Sequence, residues 1–233
     1  MRLRVSRSSC RVVSMALMVS SICIGATVSD LKDDYGPTQG PYWYFLSGFT
    51  QMNWYDTWAG GPGANGWIAG TNASGDFVPA VVKVNTAVPG TWSVGDIGIH
   101  ALDGYNGGAN GDAQIAWLSD FTGLVDITLT LWTPGTEGRN GEWQLYGNPA
   151  LLGSGVLYWD SGYSQANPLV MTFSNVPVGT GDNIRFWYFN NSGGAGPMAG
   201  IDLSIRQLDA AVPERDSLAL VAVGLCVLLV RRR

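Results

Sequence analysis

The chain has 233 residues, 46% of them hydrophobic, and a formal net charge of −5 at pH 7. That charge is uneven: residues 30–209 contain five basic and sixteen acidic residues, which gives −11. A surface this negative repels a phosphate backbone, so nucleic acid is excluded as a partner. Cys10, Cys23 and Cys226 all lie outside this range, so residues 30–209 have no disulfide, cysteine metal ligand or cysteine nucleophile.

The first 29 residues have the three parts of a secretory signal peptide. Four arginines lie among the first eleven residues, an uncharged apolar stretch covers 12–24, and Gly25 and Ala26 follow. This order is typical of an export signal that is removed after translocation. Cleavage after Ala26 and cleavage as late as Ser29 both fit, and a single domain is predicted over 30–211.

The segment 30–75 is less regular than the rest of the domain and is rich in glycine and aromatic residues. We predict one or two opening strands here, with long loops on the same domain. Aromatic side chains in such loops either form an exposed interaction patch or plug an open end of the domain. These loop aromatics are Trp54, Trp58 and Trp67 in this segment and Tyr105 in a later glycine-rich loop.

From residue 79 onward, short apolar runs alternate with glycine-rich turns, and no stretch shows a sustained helical repeat. Together with the opening segment, this pattern predicts nine to eleven strands in an all-β, two-sheet antiparallel sandwich such as a jelly roll. Within 124–132 the apolar residues fall on one face, which predicts a core-facing side. The predicted strands are 79–84, 97–101, 113–118, 124–132, 142–146, 156–159, 169–173, 184–189 and 201–206.

One glycine-rich loop carries oxygen side chains at close spacing. Calcium prefers six to eight oxygen ligands, so the loop is a candidate calcium site, although its spacing does not match an EF-hand. The alternative is a long hairpin loop whose Asp, Asn and Gly residues only satisfy turn geometry. The candidate ligands are Asp103, Asn106, Asn110 and Asp112.

The last two predicted strands carry the candidate ligand-binding residues. If Ile201 and its alternating neighbours face the core, Asp202 and Arg206 face outward, and by the same argument Arg185, Trp187 and Phe189 face outward. An antiparallel pairing of the two strands would collect these side chains on one face suited to carbohydrate. The alternative is that another layer covers the rings.

The sequence predicts no catalytic residue. His100 is the only histidine, no Gly-x-Ser-x-Gly motif is present, and no spacing selects a pair of carboxylates for glycoside hydrolysis. We therefore expect His100 to be structural.

The C-terminal segment 212–233 has a distinct organisation. Val212, Pro213 and Glu214 begin a short polar motif over 212–216, an uncharged stretch covers 217–230, and Arg231, Arg232 and Arg233 end the chain. As a helix the apolar stretch would reach about 21 Å, short of the ~30 Å hydrocarbon core. This predicts brief membrane insertion followed by processing, with an ordinary short C-terminal anchor as the alternative.

This segment resembles the PEP-CTERM sorting tail of bacterial surface proteins, although Arg215 stands where the family has a second proline. The resemblance implies an exported protein that is held transiently in the inner membrane and processed by an exosortase. It also implies a place at the cell surface or in the extracellular matrix, in association with extracellular polysaccharide.

The domain also resembles the galactose-binding-like jelly rolls found in many proteins with this tail. That resemblance implies a non-catalytic, carbohydrate-associating domain. A purely structural matrix protein and a glycan-active enzyme are the alternatives. The matching segments, in order, are 42–44, 79–83, 99–100, 116–117, 123–127, 181–186 and 199–203.

Overall fold

A computed structural model describes residues 27–58, 63–70, 78–102, 111–135, 138–190 and 195–208. The predicted signal and sorting helices lie outside these ranges. The described part contains no helix that is long and apolar enough to span a membrane. The predicted site residues outside the ranges are Val212, Pro213, Glu214, Arg231, Arg232, Arg233, Asp103, Asn106, Asn110 and Tyr105.

The prediction of an all-β jelly-roll sandwich is confirmed, and one short helix, α1, accompanies the strands. Every paired strand is antiparallel to its neighbour. The elements are β1 Val28–Asp30, α1 Leu31–Asp34, β2 Trp43–Ser47, β3 Thr50–Gln51, β4 Asn53–Trp58, β5 Ala64–Ile68, β6 Ala80–Val84, β7 Ile97–His100, β8 Ala113–Leu118, β9 Gly123–Trp132, β10 Gly141–Gly147, β11 Ala150–Leu157, β12 Leu169–Val178, β13 Asn183–Asn190 and β14 Met198–Gln207.

The strands form two sheets. The eight-stranded sheet has the order β12-β9-β14-β7-β6-β5-β4, with β1 added to β14, and the six-stranded sheet has the order β11-β10-β13-β8-β2-β3. From β7 to β14 the chain passes from one sheet to the other at every connection except the β10–β11 hairpin. Within this stretch, β10 and β11 are therefore the one pair of consecutive strands that are hydrogen-bonded to each other.

The core lies between the sheets, and along a strand such as β9 every second side chain points into it. On β9 the side chains of Val125, Ile127, Leu129 and Leu131 are fully buried. The inward residues of β14, beside β9 in the same sheet, and of β13, in the other sheet, are equally buried and belong to the same core. Burying such a side chain contributes about 1.5–3 kcal/mol, so this alternation determines which residues remain on the outer faces.

The prediction for residues 30–75 is wrong in its strand count. Four strands, β2 to β5, lie in this segment, and the described chain has fourteen strands instead of nine to eleven. The alternation of β5 is not visible in the sequence because Gly66 occupies a buried position where an apolar residue would be expected. At that position the Tyr35 hydroxyl donates to the Val81 carbonyl at 2.5 Å. A Cβ on Gly66 would lie 2.3 Å from that carbonyl oxygen, so only glycine fits.

The two ends of the described domain meet at one end of the sandwich. Strand β1 pairs with β14, and the Gln207 N–H donates to the Thr27 carbonyl at 2.9 Å. Val28 and Ser29 therefore lie in the sheet, although they are the last two residues of the predicted signal segment. Asp30 then caps α1 by accepting from the Lys32 N–H at 3.0 Å.

Candidate functional site

The expected pairing between the last two strands does not occur. Strand β13 lies between β10 and β8 in the six-stranded sheet, whereas β14 lies in the eight-stranded sheet beside β9. Arg185 and Trp187 therefore lie on the opposite side of the sandwich from Asp202 and Arg206. The prediction that one face collects all these side chains is wrong, because the chain changes sheets between β13 and β14.

On the eight-stranded sheet, Asp202 and Arg206 have separate environments. The Arg206 guanidinium donates to Asp126 at 2.6 Å, and this hydrogen bond holds the pKa of Asp126 below its usual value. Asp202 is half-buried. Burial and the nearby Asp30 carboxylate raise its pKa, and the Lys32 ammonium offsets part of this effect. Among the described residues, no aromatic platform joins Asp202 and Arg206.

The six-stranded sheet places two strands of polar and aromatic side chains side by side on its outer face. On β10 the outward residues are Glu142, Gln144 and Tyr146, since Trp143 and Leu145 belong to the core. Their partners across the ladder on β13 are Phe189, Trp187 and Arg185, in that order.

A cleft of about 280 Å³ lies on this face. The Tyr146 and Trp187 rings line it with their centroids 5.6 Å apart and their planes at 49°. The Tyr146 hydroxyl donates to Gln144 Oε1 at 2.7 Å, which holds the ring at the edge of the cleft. We call this feature the Trp187 cleft. Its lining residues are Tyr146, Asn148, Pro149, Asn183, Arg185 and Trp187.

Three buried polar atoms at this face have no hydrogen-bond partner in the described part of the chain. They are Trp187 Nε1, Arg185 Nε and Gln114 Oε1. Gln114 is the ladder neighbour of Trp187 on β8, so the three side chains occupy adjacent positions. An unmatched buried polar group costs about 1–3 kcal/mol, so a hydroxyl group that reached these atoms would accept from the two N–H donors or donate to the amide oxygen.

Of the three aromatic and basic candidates on β13, two line the cleft and one does not. Phe189 is buried and lies farther along the strand, beside Glu142. Sequence reasoning missed Tyr146 and Gln144. Their strand, β10, was predicted and its alternation was visible, but the sequence did not indicate that β10 pairs with β13.

Asp112 is the described member of the predicted calcium set, and it is fully buried. Its Oδ1 accepts from the Gly48 N–H at 2.8 Å, and its Oδ2 accepts from Gln114 Nε2 at 2.6 Å. Both oxygens thus tie the β2–β3 turn to β8. Among the described residues no group of three or more His, Cys, Asp or Glu side chains is arranged to hold a metal.

The predicted loop aromatics that the structure describes lie in strands. Trp54 and Trp58 are on β4 and Trp67 is on β5. The Trp67 ring stacks on Phe45 at 5.6 Å, and Trp54 meets Trp67 edge-on at 5.4 Å. These two rings pack with the core and form no exposed patch.

His100 is buried on β7 in a packed environment. Its Nδ1 lies 2.6 Å from the Ala101 carbonyl oxygen, and its ring contacts Trp58 edge-on at a centroid distance of 6.0 Å. These contacts hold the His100 ring in the packed interior of the sandwich.

A second, smaller cavity of about 140 Å³ lies at the end of the sandwich where the two termini meet. Tyr42, Trp117, Asp120 and Gln207 are among its lining residues. The Tyr42 hydroxyl donates to Asp120 at 3.2 Å, and this hydrogen bond raises the pKa of Tyr42.

No family model matches the chain, and no curated protein matches it. Solved structures with partial similarity include TmCBM61 in complex with β-1,4-galactotriose, at 9% identity, 48% coverage of this chain, 70% coverage of that chain and a TM-score of 0.33. The carbohydrate-binding module CBM36 in complex with calcium and xylotriose has 14% identity, coverages of 52% and 87%, and a TM-score of 0.31. The xylan-binding module CBM15 has 10% identity, coverages of 80% and 100%, and a TM-score of 0.32. Similarities this low do not transfer a ligand or an activity to this chain.

Proposed function

We propose that this protein is an exported bacterial surface or matrix protein whose β-sandwich binds an extracellular polysaccharide without catalysis. The observation that carries the proposal is the Trp187 cleft. It joins two neighbouring aromatic rings with polar groups that lack partners inside the described protein.

The chemistry of the cleft suits a sugar. Pyranose rings have apolar faces that pack against flat aromatic side chains, and their hydroxyl groups pair with side-chain donors and acceptors. The Asn148 and Asn183 amides line the cleft and can supply such groups, and one N–H of Asn148 already donates to Asp182. The volume of about 280 Å³ is at the low end for a ligand pocket, so the cleft suits one stretch of a longer chain.

We propose a binding role because the residues that line the cleft include no carboxylate. Glycoside hydrolysis ordinarily needs two carboxyl groups on opposite sides of the scissile bond. The cleft instead offers amide, indole, phenol and guanidinium groups, which bind and orient a sugar.

The binding test compares the full chain with two variants on a panel of soluble bacterial polysaccharides. Trp187→Ala removes one ring of the cleft, whereas Tyr55→Ala removes an exposed ring on β4 of the other sheet. We expect at least one polysaccharide to bind saturably, with the affinity lost only in Trp187→Ala. Equal effects of both variants, or no binding to any polysaccharide, would contradict the proposal.

Export and sorting are the second part of the proposal. The predicted signal and sorting segments continue from neighbouring strands at one end of the sandwich, where Gln207 bonds to Thr27. This part of the proposal rests on the signal and sorting patterns in the sequence of the two ends.

The mass of the native protein recovered from the cell surface or the medium tests this part. Because β1 is paired with β14, we expect the mature N-terminus at or before Thr27. We expect the new C-terminus between Pro213 and Asp216. A chain that still ends at Arg233 would contradict sorting and indicate a membrane-tethered protein.

A further inference from the structure

We propose that the glycan bound in the Trp187 cleft is acidic, and that the Arg185 guanidinium binds the carboxylate of a uronic acid unit. This inference rests on the proposed glycan-binding function and names the class of sugar that the cleft selects.

Arg185 is the one basic residue of 30–209 whose side chain has no hydrogen-bond or ion-pair partner among the described residues. Residues 30–209 contain five basic residues, and four of them donate to a named oxygen. The acceptors are Asp96 for Lys32 at 3.0 Å, the Lys32 carbonyl for Lys83 at 2.6 Å, the Gly196 carbonyl for Arg139 at 3.3 Å and Asp126 for Arg206 at 2.6 Å.

Arg185 differs from the other basic residues in having no acceptor of any kind among the described residues. Lys32 and Arg206 pair with carboxylates, and Lys83 and Arg139 donate to backbone carbonyl oxygens. Arg185 instead lies between Tyr146 on β10 and Ala116 on β8, in the middle of the sheet. Its Nε is buried there without a partner, so the guanidinium is partly removed from water but not neutralised.

The acidic side chains nearest in the fold do not neutralise it. Asp182 accepts from the Asn148 amide and from the Gly179 N–H at 2.7 Å, so its carboxylate is engaged at the turn. Glu142 lies four residues from Tyr146 along β10, about 13 Å away at the rise of an extended strand.

These surroundings favour a carboxylate over a neutral sugar. A neutral ligand over Arg185 would remove more water from a charged group without supplying the opposite charge. A carboxylate supplies that charge and matches the planar fork of the guanidinium with two parallel hydrogen bonds. The net charge of −11 over residues 30–209 opposes a densely charged polyanion, so the inference is confined to a contact between Arg185 and one carboxylate, within the ~8 Å over which charges are little screened.

The test measures binding of the full chain to six-residue oligosaccharides of polygalacturonate, alginate and hyaluronan. Each is compared with its carboxyl-reduced form, which keeps the ring but has no charge. We expect at least one acidic form to bind about tenfold more tightly than its reduced form, which is about 1.4 kcal/mol. We expect Arg185→Gln to remove this difference, Arg185→Lys to keep part of it, and Trp187→Ala to weaken both forms.

The outcomes separate this inference from the proposed function. Equal affinity for the acidic and reduced forms, or an equal loss for both in Arg185→Gln, would overturn the acidic-sugar inference and leave glycan binding standing. Binding of sulfated but not carboxylated oligosaccharides would overturn the assignment to a uronic acid. No binding of any form would contradict both. The thermal midpoint of each variant shows whether it is folded.

Discussion

Trp187 lies against Tyr146 across the β10–β13 ladder, with ring centroids 5.6 Å apart, on the outer face of the six-stranded sheet. β10 alternates between buried and half-buried positions along its whole length, and β13 does so from Asn183 to Tyr188. Because each strand is held on both sides within the sheet, the rings have a fixed place before any ligand arrives. That preorganisation lowers the entropic cost of binding.

We expect the ring of Tyr146 to contribute more to glycan binding than its hydroxyl. Tyr146→Ala removes the stacking surface, so we expect a loss of affinity for the cognate polysaccharide of about tenfold, or about 1.4 kcal/mol. Tyr146→Phe keeps the ring and loses only the 2.7 Å hydrogen bond to Gln144, so we expect a smaller loss. Titration of both variants measures the difference. Equal losses would assign the role to the hydroxyl.

Gly200 marks a close approach between β14 and β9 that a larger residue cannot fit. A Cβ at this position would lie 1.8 Å from Trp132 Cε2. Overpacking of this kind typically costs about 1–3 kcal/mol, so Gly200→Ala should lower the free energy of unfolding by that amount. Urea denaturation measures it. Gly36→Ala is the control, since nothing lies within 4 Å of its Cβ, and a similar loss there would contradict this explanation.

Asp202 makes the folded state less stable at neutral pH. Burial and then the Asp30 carboxylate raise its pKa in the folded protein. The folded state therefore holds the Asp202 proton more tightly than the unfolded chain does. Stability then falls as the pH rises from about 4, the ordinary value for aspartate, through the raised pKa.

The variant Asp202→Asn removes this effect. We expect a higher thermal midpoint than wild type at pH 7, with the difference shrinking as the pH approaches 4. The control is Asp126→Asn, because the hydrogen bond from Arg206 lowers the pKa of Asp126 and so stabilises the folded state above about pH 4. That variant should lower the midpoint at pH 7. An Asp202→Asn variant that is less stable than wild type at pH 7 would refute this account.

Asp112 is expected to stabilise the fold through its two hydrogen bonds rather than through calcium. An amide in its place presents an N–H group to either the Gly48 N–H or the Gln114 amide, which are both donors. Leaving such a buried donor without an acceptor costs about 1–3 kcal/mol, so Asp112→Asn should be destabilised by that amount. We expect the same loss in EDTA and in excess calcium. A loss seen only with calcium would instead support the calcium loop.

The sequence predicted the fold class because period-two alternation reports directly on burial. Leu129 and Leu203 were assigned to the core from their neighbours alone, and both are fully buried. The same reasoning failed for β4 and β5, where glycine and polar residues interrupt the pattern. Their burial depends on aromatic rings from distant segments, such as Phe45 against Trp67.

The site was only half predictable for a related reason. Alternation indicated that Arg185 and Trp187 point outward, but it carries no information about which strand lies beside β13. Asp202 was grouped with them because β14 follows in the chain, whereas Tyr146 is the true ladder neighbour of Arg185. Sheet order depends on long-range packing, and short sequence patterns do not encode it.

The Trp187 indole N–H is the most direct reporter of glycan binding at the Trp187 cleft. This buried N–H has no acceptor among the described residues, so its NMR resonance should shift when a sugar packs on the indole ring. The resonance is assigned as the indole N–H signal that is absent from the spectrum of Trp187→Phe. We predict that titration with the cognate glycan shifts it. The indole resonance of Trp67, which donates to the Gly36 carbonyl, should stay in place. A saturable titration that leaves the Trp187 resonance unmoved would contradict the account.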